Sequence, residues 1–187
     1  MSTKRFVFCL FVTVLLAGVS LCSYGICSKS KAGGISVVTQ KGEDFDSFLN
    51  KFTSSAVFQY TRIKFPLKTP VTLLADDGET EKTFPFTKEK WPLLDSEMLK
   101  EERITQDEGG VYVSKFTLNE SEHKVFEAGY EESEVDLRVE FELGTDGKWY
   151  VVDCYTGWYG YDLPIDELEQ TIQHVQEENA AFKELHP

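Results

Sequence analysis

The sequence predicts an α+β fold: amino-terminal helices packed on a curved, cone-like antiparallel sheet, with one more helix at the carboxyl end. Three observations predict it. Phe45, Phe48, Leu49 and Phe52 recur at i, i+3, i+4 and i+7, the spacing of an amphipathic helix. Val135 to Leu143 alternates Val, Leu, Val, Phe and Leu with Asp, Arg, Glu and Glu, the period of a half-buried strand, and returns through Gly144–Gly147 into an apolar run ending at Tyr155. Ile165, Leu168, Ile172, Val175, Asn179 and Phe182 follow a three-four spacing behind Pro164, with Asp166 and Glu167 where a helix dipole favours acids.

The chain of 187 residues suits one domain with a sizeable core. Residues 1–25 read as a signal peptide, with Lys4-Arg5 before the apolar Phe6 to Val19. A lipid anchor at Cys22 is a weaker option, because Leu21 stands where a lipobox needs a small residue, and an uncleaved anchor helix is weaker still. The expected location is therefore the periplasm or outer envelope, with membrane contact only through the signal or a lipid. Residues 26–42, rich in Ser, Lys and Gly, read as a flexible tether, and 43–187 as the single domain. Net charge is −13; since Lys4 and Arg5 are the only charges among the first 27 residues, the rest carries −15. So acidic a surface repels phosphate backbones, which excludes nucleic acid as a partner. Of four cysteines, Cys27 and Cys154 are the ones a processed chain could retain. They suit a disulfide in an oxidising compartment, although Cys154 reads more simply as a small buried hydrophobe.

Between these landmarks, Ser54 to Ile63 reads as a second short helix bearing Val57, Phe58 and Ile63 until Pro66 ends it. Thr69–Leu74 and Glu81–Phe86 form a hairpin across Asp76-Asp77-Gly78, placed at the sheet border by Pro70 and Pro85. Thr87 to Lys100, broken by Pro92, suggests short helices. Ile104–Phe116, interrupted at Gly109-Gly110, and Lys124–Tyr130 read as strands, with Val111, Val113, Phe116 and Leu118 inward. The acidic run Glu131 to Glu134 is a solvated turn.

The site question turns on Asp153, an acid inside W-Y-V-V-D-C-Y. One register sets Arg138 opposite Asp153 as a cross-strand ion pair and is the favoured one. A slip of one residue moves Asp153 to the apolar face, where desolvation would make it an acid or base. Next comes T-G-W-Y-G-Y-D, whose Trp158, Tyr159 and Tyr161 suit either stacking on a ligand or plugging the end of the sheet. The candidate pocket is Asp153, Tyr155, Trp158, Tyr159, Tyr161 and Arg138. His174 and Glu178 form an i, i+4 pair without a third ligand, and no zinc spacing, Ser-His-Asp order, phosphate-cradling loop or redox motif is present. No metal or cofactor is expected.

F-D-S-F-L-N-K-F, F-Q-Y-T-R-I-K-F-P-L, W-Y-V-V-D-C-Y and E-E-N-A-A-F-K-E-L-H-P together resemble an uncharacterised family of exported Bacteroidetes proteins over Glu43 to the end. The resemblance implies an envelope location and a nuclear-transport-factor/cystatin-like fold, and brings no catalytic residues. Three functions follow in order of support: a non-catalytic module for a small ligand or envelope protein, a small pocket enzyme using Asp153, and an assembly protein dimerising through the sheet or last helix.

Overall fold

In the computed structural model the described residues are 42–75, 77–106, 110–160 and 162–186. The expected signal peptide, Cys27, nearly all of the tether, and Tyr161 lie outside them. Two helices, α1 (Phe45–Ser54) and α2 (Ala56–Thr61), come first. The hairpin β1 (Val71–Leu74) and β2 (Glu81–Phe84) follows, then β3 (Glu102–Gln106), β4 (Gly110–Asn119), β5 (His123–Tyr130), β6 (Val135–Leu143) and β7 (Trp149–Thr156). The last helix, α3, spans Leu168–Leu185. Strands β3 to β7 form one antiparallel meander in chain order, and β1–β2 is a separate two-stranded sheet rather than a border of the large one. No helix among the described residues is long and apolar enough to cross a membrane.

Helix α1 starts where Asp44 accepts from the Ser47 amide at 3.0 Å, satisfying one of the free donors of the first turn. Its aromatic stripe does what the spacing predicts: Phe48 and Phe52 are fully buried, and Phe45 meets Phe116, Phe141 and Trp149 edge-on at 4.9–5.5 Å. Glu43 fixes the entry to the domain. Its carboxylate takes a two-point bond from Arg62 at 2.8 and 3.1 Å and a third from the Trp149 amide at 3.1 Å.

Helix α2 departs from expectation. Val57 faces solvent, whereas Ile63 just beyond the helix is buried, and the helix itself buries Ala56 in the core and Gln59 through polar contacts. The Gln59 amide donates to the carbonyls of Phe52 and Leu94, while its oxygen accepts from Trp91 Nε1 and the Leu94 amide, all at 2.7–3.0 Å. Every hydrogen-bonding capacity of the side chain is used. Asn179 of α3 grips the same loop, donating to the Trp91 carbonyl at 2.8 Å and accepting from the Leu93 amide at 2.7 Å. The segment expected to be short helices holds one 3-10 turn at Lys88–Lys90 and a turn over 96–99, with an irregular strap between them. The seam of α3 closes on this strap within its own domain.

Strand β4 also corrects the inward set. Phe116 faces the helices, but so do Tyr112 and Ser114, while Val113 and Leu118 lie on the outer face. A bulge between Phe116 and Leu118 resets the alternation, which period-two reading cannot anticipate.

Candidate functional site

The register of β6 against β7 is neither of the two expected. Leu143 pairs with Trp149 and Phe141 with Val151, so the hairpin begins in the slipped register. A bulge then falls between Glu140 and Phe141, leaving Val152 as the extra residue. Beyond it Glu140 pairs with Asp153, Val139 with Cys154 and Arg138 with Tyr155. The bulge lets Trp149, Val151 and Cys154 all reach the core while Asp153 stays on the outer face. The expected Arg138–Asp153 pair does not form. Arg138 instead reaches Glu127 and Glu140, each at 3.4 Å.

Asp153 is buried by a different device. The segment Arg62 to Lys68 runs along the free edge of β7, bridged in parallel at Ile63 and Val151 and bonded through the Lys64 amide to the Val151 carbonyl at 3.0 Å. Where this segment turns away, Asp153 accepts from the Thr69 amide at 3.0 Å and the Thr69 hydroxyl at 2.7 Å. It also accepts from the Cys154 amide at 3.0 Å. The carboxylate anchors the root of the β1–β2 hairpin through its two hydrogen bonds from Thr69, and the Cys154 amide of its own strand supplies the third.

The aromatic cluster divides. Tyr159 is buried, edge-on to Phe86 at 5.7 Å, and donates to the Lys90 carbonyl at 2.9 Å; burial raises its pKa. Trp158 is half-exposed and meets the His174 imidazole edge-on at 5.1 Å, while His174 lies nearer Glu177 than the expected Glu178. Tyr155 and Tyr159, with Thr69, Phe86, Cys154 and Thr156, border a cavity of about 90 Å³. That is room for a few waters. Cys154 is a buried free thiol, as its strand position suggested, and burial, then the neighbouring Asp153 charge, pushes its pKa up.

Sequence reasoning missed the outer face of β5 and β6. Cross-strand pairing puts His123 beside Glu142, and alternation adds Glu140 on the same face. His123 Nε2 is 2.9 Å from Glu140 Oε1. Lys68 reaches across from the β7 edge, its ammonium 2.7 Å from Glu142 and 3.5 Å from Glu140. Their hydrogen bond lowers the Glu142 pKa and raises that of Lys68. These groups are far apart in sequence, so only the strand register could have brought them together on paper. Further along the same face, Val113, Lys115, Glu127, Gly129, Glu131 and Val135 border an open groove of about 160 Å³. A side chain at Gly129 would sit 3.1 Å from the Glu134 carbonyl, so the close backbone approach that shapes the groove needs glycine there.

Helices laid on one face of an antiparallel meander, with a last helix closing the end, define a cystatin-like α+β protein, and solved structures agree. A crystal structure of a cystatin-like protein from Bacteroides caccae is 86% identical, with a TM-score of 0.77, over 79% of this chain and 98% of that one. A solution structure of a protein from Bacteroides ovatus is 84% identical with a TM-score of 0.75, covering 83% of this chain and 100% of that one. One from Bacteroides uniformis is 71% identical, also at 0.75, covering 79% and 99%. A family model described only as "-like" matches residues 43–183, and the chain belongs to that family, which is uncharacterised. Among curated proteins, none matches it.

Proposed function

We propose that the protein is an exported cell-envelope module that binds a partner protein through the outer face of its sheet. The disposition of space carries this reading. The interior cavity beside Tyr155 and Tyr159 is about 90 Å³, whereas small-molecule sites run to about 300–1,000 Å³. The open groove around Gly129 is larger, about 160 Å³, and is bordered by Val113 and Val135 with Lys115, Glu127 and Glu131 beside them. An apolar floor with charged walls of both signs is the chemistry of a protein contact. Asp153 supports the same reading over an enzyme, since both of its oxygens are engaged in anchoring Thr69 and Cys154. Export rests on the basic and apolar order of residues 4–19.

The test is photocrosslinking in living cells, with a reactive side chain placed at Ser133 in the groove or at the exposed Val57 as control. The expected result is one adduct from Ser133 alone, carried by a chain shortened at its amino terminus and recovered with the envelope. An unshortened cytoplasmic chain, or equal labelling from both positions, would refute the reading.

A further inference from the structure

We propose that His123, Glu140 and Glu142 form a site for a divalent transition-metal ion of the zinc type, with Lys68 as its built-in competitor. The donor atoms of the three side chains lie within 4.8 Å of one another on two neighbouring strands. In a tetrahedral zinc shell, with bonds near 2.0–2.2 Å, ligand atoms stand roughly 3.3 Å apart. His123 Nε2 and Glu140 Oε1 are already at 2.9 Å. Small side-chain rotations therefore close the shell without moving the backbone. Strand pairing provides a rigid base, because His123 and Glu142 are direct cross-strand neighbours.

The donor set indicates the class of ion. One imidazole and two carboxylates suit zinc and its neighbours, whereas calcium takes six to eight oxygens and magnesium an octahedron of oxygens. The half-exposed face leaves the fourth position to water or to a donor from a partner. Arg138 adds an outer contact of the kind that orients a ligand: its Nη2 holds Glu140 Oε2 at 3.4 Å and leaves Oε1 turned toward His123.

Lys68 marks where the cation goes. Its ammonium stands between the two carboxylates, and its side chain is 54% exposed, so it can swing into solvent when an ion arrives. An ordinary ion-pair cluster and a metal site make opposite predictions about this lysine. If the cluster exists only to hold Lys68, removing it creates nothing; if Lys68 competes with an ion, removing it tightens binding.

The experiment is calorimetric titration of the untagged protein with zinc chloride, alongside nitrogen-15 spectra of the histidine rings. One equivalent is expected to bind with a shift of the His123 ring. His123→Gln and Glu142→Gln should each weaken binding at least tenfold, and Lys68→Ala should tighten it severalfold. All three positions are at the surface, and amide spectra verify that each variant is folded. Binding that survives His123→Gln belongs to His174 or His186 and overturns the proposal, as does no binding in both the unaltered protein and Lys68→Ala. Unchanged affinity in Lys68→Ala overturns the competitor role of that lysine.

Discussion

Gln59 is the residue whose role departs furthest from its appearance in the sequence. A glutamine in a six-residue helix reads as solvent-facing, yet it is fully buried and answers four backbone or indole groups. Gln59→Leu keeps the volume but leaves the Trp91 indole N–H, the Leu94 amide and two carbonyls without partners. Each unmet buried group costs about 1–3 kcal/mol, so a loss of roughly 4 kcal/mol is expected in urea unfolding after partial relaxation. Val57→Ser, two residues away and exposed, should stay within about 0.5 kcal/mol. A second residue-scale effect sits at the β1–β2 turn. The Thr80 hydroxyl, then the Thr80 and Glu79 amides, hold the Asp77 carboxyl down at about 2. A carboxyl depressed in the folded state contributes stability above its unfolded value near 3.8 and loses it as pH falls toward 2. The hairpin tip should therefore loosen between those values. Carbon-13 titration should place the Asp77 midpoint near 2, and Thr80→Ala should move it upward.

At the scale of elements, α1, β6 and α3 were legible because each shows one clean period. The aromatic stripe of α1 and the alternation of β6 both sit where the pattern puts them. What could not be read was register. The run Trp149 to Tyr155 is apolar on both faces, so it offers no contrast by which one alignment would beat another, and a bulge at Val152 is invisible to alternation. The same blindness hid the bulge in β4 and, through it, the outward turn of Leu118. The candidate site suffered most. Asp153 was singled out as the lone acid of its strand and paired with Arg138, but its bonds come from Thr69, whose approach depends on an irregular segment beside β7. The His123 cluster needed the β5–β6 register and was not seen at all. The strap at Trp91–Leu94 is likewise held by side chains remote in sequence, Gln59 from α2 and Asn179 from α3. Two elements gripping one loop should be coupled. A double-mutant cycle of Gln59→Ala and Asn179→Ala is expected to show about 1 kcal/mol of interaction, because once one clamp is lost the loosened loop makes less use of the other. Strict additivity would mean that the strap stays in place on apolar contacts alone.

For the molecule as a whole, the dominant long-range fact is charge. Acidic residues outnumber basic ones by 32 to 19, and the sheet's outer face gathers many of both signs. Two opposing effects of salt follow. Screening weakens the local pairs, Lys68 with Glu142 and Arg103 with Glu131 among them, but these are largely exposed and such pairs contribute only about 0–1 kcal/mol each. Screening also relieves the mutual repulsion of an excess of negative charge over the entire surface, which disfavours the compact state. The second effect acts on every uncompensated acid at once, over distances near the Debye length of about 10 Å at 0.1 M. The sum should favour stabilisation. Raising sodium chloride from about 10 mM to 200 mM is expected to lift the melting temperature at neutral pH by roughly 3 °C, on the scale of about 1 kcal/mol for a domain of this size. Scanning calorimetry at the two salt concentrations measures it. A fall in melting temperature would mean that the ion pairs on β5, β6 and the β7 edge act as a tightly coupled network, and would move the search for the source of stability to that face.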